Sequence, residues 1–538
     1  MAKQLTILLL FIWINSAALA QISRIPYAEN LSGEQWQVID IIFKANAKVD
    51  NPFIADFEAK LKGPEGEEMN VPGFYNGGRE WILRFSASTV GDWQFTTTSE
   101  VKQLNGKSGI ITITENQNPE KHGSIVTRAK NPQHFYYEDG TPYLAMAFEC
   151  DWLFALDYHN SIGTPKTNYL LDLLVANNLN QIVTTVYSFN PGDVWYKDPK
   201  LAQHPEHNYG GDLAIFPFLG TNEEPDFSQL NVDFFKQYDR VMEQAELRNI
   251  AIHLMIYVWN KGVSWPAAET EADNMYFDFI IKRYQAFSNI IWDVSKEALN
   301  NPRCTEEYGL ERIQRIRDLD AYGRLVSVHD YGFCRRNADA VDFISIQTWS
   351  ATLYSDMLSI RNQFKDKPIF NIEHGGYEVS PYEVFPGDYI DPEICVRRNY
   401  LINFAGAYGT YYWQGSSWNV IIHNPYEQPD DFIKPKFEYY RHLVDFFKKY
   451  PLSSLQPSPR TNSSGYSLTN NQGLYLMFVP KYNYQISVYY KSPMFSEGGT
   501  YQWFNVLTGE YGEEIEFTGG NFENPWFEKA DAILIRQH

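Results

Sequence analysis

Two stretches of the chain place a glutamate directly behind an apolar, β-branched run. They are Asn289-Ile-Ile-Trp-Asp-Val-Ser-Lys-Glu297 and Lys367-Pro-Ile-Phe-Asn-Ile-Glu-His-Gly-Gly376. A carboxylate at the end of a buried run is costly to keep there without a task. Two such groups can share the work of opening an acetal. One, protonated, donates to the leaving oxygen; the other attacks the anomeric carbon or activates a water. Carboxyls about 5–5.5 Å apart would retain the anomeric configuration, and a gap of about 6.5–9.5 Å would invert it.

Other polar and aromatic residues follow similar runs. Glu149 and Asp151 stand in Phe148-Glu-Cys-Asp-Trp152, and His329 is followed by Asp330 and Tyr331. Trp259 (with Asn260) and Trp349 close two further runs, and Lys296 immediately precedes Glu297. Hydroxyls of a sugar would suit the carboxylates and the histidine, and indoles suit its flat C–H faces. The pairs Arg335-Arg336 and Arg397-Arg398 read as solvated or ion-paired surface, or as a grip on a sulfated or acidic sugar. The histidines lack metal-ligand spacing, and no HExxH or GxSxG motif occurs. Neither a metal nor a cofactor is expected.

The elements that must carry these residues form a repeating series. Eight strand-like runs start at Tyr143, Gln181, Ile250, Ile290, Leu325, Phe343, Pro368 and Gly409, and the last ends at Trp413. Helical patterns separate them, among them Asn168 to Asn177, Val232 to Arg248, Asp273 to Phe287 and Glu307 to Leu319. Parallel strands need such crossovers, and eight of them predict a (β/α)8 TIM barrel over 123–450. In that fold the strand ends hold the chemistry, which selects Glu297 after strand four and Glu373 after strand seven. Alternating, turn-punctuated segments predict an N-terminal immunoglobulin-like β-sandwich over 21–122 and a small C-terminal β-sandwich over 451–538.

The barrel resembles clan A of the glycoside hydrolases. The segments Gly73-Phe-Tyr-Asn-Gly77 and Gly91-Asp-Trp-Gln-Phe95 resemble an uncharacterised sandwich domain that precedes such barrels in Bacteroidetes. The resemblance implies Glu297 as acid/base, Glu373 as nucleophile and Trp413 as a platform under the cleaved sugar. Two positions depart from the clan. Lys296 stands where Asn usually binds a sugar 2-hydroxyl, and 181–190 lacks the Arg that many members place near the nucleophile. Lys296 would bind a hydroxyl or an anionic substituent, or pair with Glu297.

Composition agrees with a carbohydrate partner. The chain is 16% aromatic, and its formal net charge of −21 argues against nucleic acid. Lys3, the apolar stretch from Leu5 to Ile14 and Ala18-Leu19-Ala20 read as a signal peptide cut near Ala20, giving a secreted or periplasmic protein without a membrane span. Export permits disulfides, with Cys304–Cys334 one pairing among those open. The expectation is a retaining glycoside hydrolase acting by double displacement. A catalytically inactive, glycan-binding barrel is the alternative, and a polysaccharide lyase the weaker third.

Overall fold

The computed structural model describes residues 22–538 apart from 47–48, 190–211, 213, 260, 301, 375–390, 417–420, 431–432, 488–491, 493 and 495. The proposed signal peptide therefore lies outside the described residues, as does Asn260.

Eight parallel strands form the centre: Met146–Glu149, Gln181–Thr185, Ala251–Val258, Ile290–Lys296, Val326–His329, Ile344–Gln347, Ile369–Glu373 and Tyr408–Tyr411. Taken as strands one to eight in chain order, they are laddered five-four-three-two-one-eight-seven-six. Strands five and six share no ladder. They are joined instead by Asp342 N donating to Val326 O at 2.9 Å and Ser327 Oγ donating to Phe343 O at 2.9 Å. The barrel is thus nearly closed. Strand three, Ala-Ile-His-Leu-Met-Ile-Tyr-Val, is buried at every position, as befits a strand with core on one face and helices on the other.

The helical spacers form largely where expected, including Val232–Leu247, Glu271–Tyr284 and Glu306–Leu319. Their starts are chemically marked. Asn231, Thr270 and Thr305 each accept a hydrogen bond from a first-turn backbone N–H, satisfying donors that the helix itself leaves open. Strand one begins three residues later than its apolar run, at Met146. Tyr143 is used instead in an antiparallel hairpin of Phe135–Tyr137 with Pro142–Tyr143. Strand eight stops at Tyr411, so Trp413 lies just beyond it.

The N-terminal part is two facing sheets, one of four strands and one of five, about a core that includes Trp81, Trp93, Phe57 and Phe95. Period-two alternation explains how it meets the barrel. Along Ile39–Lys44 and Glu80–Phe85, the residues Ile39, Ile41, Trp81 and Leu83 enter the sandwich core, while Asp40 and Arg84 face the other way. Both are nevertheless fully buried, because barrel helices cover that face. Arg84 donates to Asp40 at 2.7 and 2.9 Å and to Asp239 at 3.3 and 3.2 Å. Arg283 also donates to Asp239, at 2.9 and 2.7 Å, and reaches back to Asn76 at 2.9 Å. Two guanidinium and two carboxylate groups therefore neutralise one another across the junction.

The C-terminal part is a six-stranded sheet faced by a two-stranded one. Its central strands again divide by parity. Leu476, Phe478, Ile533 and Ile535 join the barrel core, and Met477, Val479, Ala532 and Leu534 form a small core of their own.

Cys304 and Cys334 do not pair. Cys334 Sγ donates to Val328 O at 3.1 Å, whereas Cys304 Sγ is turned to Thr305 O at 3.9 Å. Among the described residues, no helix is long and apolar enough to cross a membrane.

Candidate active site

Both glutamates singled out from the sequence sit where a ladder loses register. Pairing of strands four and five shifts between Asp293 and Lys296, and pairing of strands six and seven shifts between Ile346 and Gln347. Such irregularities turn a strand end and re-aim its side chains. At strand four the cause is local. Buried Asp293 accepts from Ser295 N at 3.0 Å and from His329 N at 2.9 Å through one oxygen, and faces His253 Nε2 at 3.0 Å with the other. The chain then turns sharply. Glu297 donates its backbone N–H to His329 O at 2.9 Å and adopts φ +50°, a left-handed conformation unusual for a residue with a side chain.

Lys296 is the hub of the site. Its ammonium lies 2.5 Å from Glu149 Oε1, 3.3 Å from Asp151 Oδ1 and 3.1 Å from Glu373 Oε2. Only 3% of its side chain is exposed. No pairing of Lys296 with Glu297 forms: Lys296 points across the barrel to strands one and seven, while the left-handed turn carries Glu297 elsewhere. Burial opposes the ammonium charge, but Asp151, Glu149 and Glu373 together hold it well above the ordinary lysine range.

Glu373 is oriented from its other side by Gln347, whose amide donates to Glu373 Oε1 at 3.0 Å. The carbonyl of the same amide is 3.1 Å from His329 Nε2, which fixes the imidazole with its proton on that nitrogen. Burial, reinforced by Lys296 and His253, pushes His329 well below the usual histidine range, so the ring is neutral. Burial also raises Glu373. Lys296 opposes this, Glu297 and Asp151 add to it, and the carboxyl is pushed up to about 7. Glu149 rises well above the ordinary range for the same leading reason.

The aromatic candidates divide. Trp259 is buried, stacked on Tyr257 at 4.7 Å with the Arg303 guanidinium 5.4 Å from its ring. Trp413 is buried at 1% exposure. Trp349 is half-buried and meets Tyr412 edge-on at 5.2 Å, and so offers the more open indole. The arginine pairs are anchored differently: Arg336 bonds Glu306 at 2.6 Å, and Arg397 bonds Asp531 of the C-terminal part at 2.6 Å.

Two residues escaped the sequence reading. Gln347 is an amide, a residue type without titration chemistry, and its only signal is its position at the end of strand six. Lys261 follows strand three. Burial lowers its ammonium below the usual lysine range, and Asp151, Lys296, Glu373 and Glu297 are the charges that act on it. Among the described residues, no group of three or more His, Cys, Asp or Glu is arranged to hold a metal ion.

Comparison with known proteins bears on this arrangement. A family model described as "Apiosidase-like, catalytic domain" matches residues 129–453, and one described as "Domain of unknown function (DUF5060)" matches residues 32–100. A putative glycoside hydrolase from Bacteroides vulgatus superposes with a TM-score of 0.72 at 17% identity, covering 95% of this chain and 100% of its own. A glycoside hydrolase family 5 structure from the same organism gives 0.56 at 15% identity, covering 78% of this chain and 93% of its own. At these identities the likeness establishes the fold. No curated protein sequence matches the chain. The family model covers more than half of the sequence and the whole barrel, and the chain belongs to the apiosidase-like catalytic-domain family.

Proposed function

We propose that this barrel hydrolyses O-glycosidic bonds with retention of configuration, by double displacement. Glu373 is the nucleophile and Glu297 the acid/base. The observation that carries the reading is the placement of these two carboxyls at the register shifts of strands four and seven, close enough for the Glu297 charge to act on Glu373. Glu373, as carboxylate, attacks the anomeric carbon and forms a glycosyl ester. Glu297 gives its proton to the departing oxygen, then takes one from the water that opens the ester. Lys296 and Gln347 favour the charged form of Glu373 needed for attack. The substrate is a glycan, and the family description suggests glycosides of apiose as the first to try. Export through the first 20 residues would bring the enzyme to such material.

Turnover on a glycan panel that includes apiosides, with the product anomer followed by NMR, tests this reading. Wild type should release the retained anomer. Glu297→Gln should lose roughly 10²–10⁴-fold in rate. Glu373→Gln should be inactive. Inversion, an unsaturated product, or glycan binding without cleavage by folded wild type would each overturn it.

A further inference from the structure

We propose that Lys296 and Glu149 form a positioning unit for Glu373: Lys296 is its internal counter-ion rather than a ligand for the sugar, and Glu149 stands as a neutral carboxylic acid. The proposal rests on the reading of Glu373 as nucleophile.

The first part follows from geometry. Lys296 donates to Glu149 at 2.5 Å and to Asp151 at 3.3 Å, and its ammonium lies 3.1 Å from Glu373 Oε2 as an ion pair. With its side chain 3% exposed, the ammonium is enclosed by these carboxylates rather than presented to a substrate hydroxyl. The second part follows from charge. Three ionised carboxylates about Lys296 would leave two net negative charges in a buried cluster, offset only in part by Lys261, whose own charge burial disfavours, and this is costly. One carboxyl therefore keeps its proton. Glu373 has the Gln347 amide as well as Lys296, and both oxygens of Asp151 lie 3.3–3.5 Å from Lys296. Oε2 of Glu149 and Oε2 of Glu373 alike make no hydrogen bond, but wholly buried Glu149 has Lys296 as its one hydrogen-bond partner and lacks a neutral donor such as Gln347. Its burial-raised pKa agrees.

The groups facing this unit come from several strands. Strand one and its following turn bring Glu149 and Asp151, strand four Lys296 and Glu297, strand five neutral His329, and strand seven Glu373. Lys261 follows strand three, and Tyr412, after strand eight, acts on Lys296. With Glu149 neutral, Lys296, Asp151 and Glu373 carry one net negative charge. When Glu373 becomes an ester, that charge disappears, and Lys296 balances Asp151 in the intermediate.

Infrared difference spectroscopy on the full chain, at mildly alkaline pH above the Glu373 range, tests the charge state. The carbonyl stretch of a protonated carboxyl should be present in wild type and absent in Glu149→Gln. Its absence from wild type, or its survival in Glu149→Gln, would overturn the proposal. In folded Lys296→Met the acidic limb of kcat/KM should move up by roughly one unit or more, with partial return in Lys296→Arg. A raised KM with an unmoved limb would make Lys296 a sugar ligand instead. If wild type cleaves no glycan, the catalytic reading falls, while the infrared band still decides the protonation.

Discussion

Gln347 Nε2 donates to Glu373 Oε1 at 3.0 Å from the neighbouring strand, at the point where the ladder between strands six and seven slips. The amide thereby holds the carboxylate in one orientation while Lys296 faces its other oxygen. Gln347→Leu removes that bond without altering charge. A hydrogen bond to a charged group contributes about 1.5–3 kcal/mol, so kcat/KM should fall roughly 10- to 100-fold. Steady-state kinetics on a cleaved glycan checks this, and a variant as fast as wild type would refute the orienting role.

Activity and stability should respond to pH in opposite directions. The Glu373 carboxyl titrates at about 7 in the folded protein, above its ordinary value of 4.5. Between those values the folded chain holds a proton that the unfolded chain has lost. This contribution to stability is complete below the ordinary value and is lost as pH rises through about 7. As the proposed nucleophile, by contrast, Glu373 must be ionised to attack, so kcat/KM should rise through the same interval. Thermal unfolding of wild type should show a steeper fall in Tm across that range than Glu373→Gln. Equal slopes would count against the raised carboxyl.

The sandwich–barrel junction should be sensitive to single charges. Arg84→Ala leaves Asp40 buried beside Asp239, with only Arg283 and the partly exposed Arg24 to offset them. Breaking a buried pair this way typically costs about 3–5 kcal/mol. Calorimetry should show a lowered Tm or a separate early transition for the N-terminal part. A Tm within a degree or so of wild type would mean that the network is dispensable.

Trp349 is the least buried of Trp259, Trp349 and Trp413, and on the proposed reading it is the one to meet a sugar face. Trp349→Ala should raise KM by roughly 3- to 10-fold, in line with the ~0.5–1.5 kcal/mol that aromatic contacts add, and leave kcat nearly as it was. Trp259→Ala should instead lower Tm, because that ring is packed between Tyr257 and Arg303.

The barrel was readable from the sequence because long apolar runs alternate with helical spacers, and each barrel strand overlaps a predicted run and extends at most two residues beyond it. The register shift at strand four was not readable, because it arises from Asp293 bonding two backbone N–H groups on different strands. Glu297 and Glu373 could be picked out as carboxylates behind apolar runs. The partners of Lys296 could not, since strand four lies three places from strand one in the ladder and the contact crosses the barrel. Nor could the sequence tell a packed indole from an open one: Trp259 and Trp349 both follow strands, and only their neighbours separate them.

Glu297 combines a left-handed backbone with the acid/base role proposed for it. Glycine accepts that conformation at no steric cost, whereas a side chain there is strained by about 1 kcal/mol. On the proposed reading, reactivity at this position overrides the preference of the backbone. A directed-evolution campaign that selects for heat resistance alone would drift toward Glu297→Gly, and its most robust survivors would be catalytically dead.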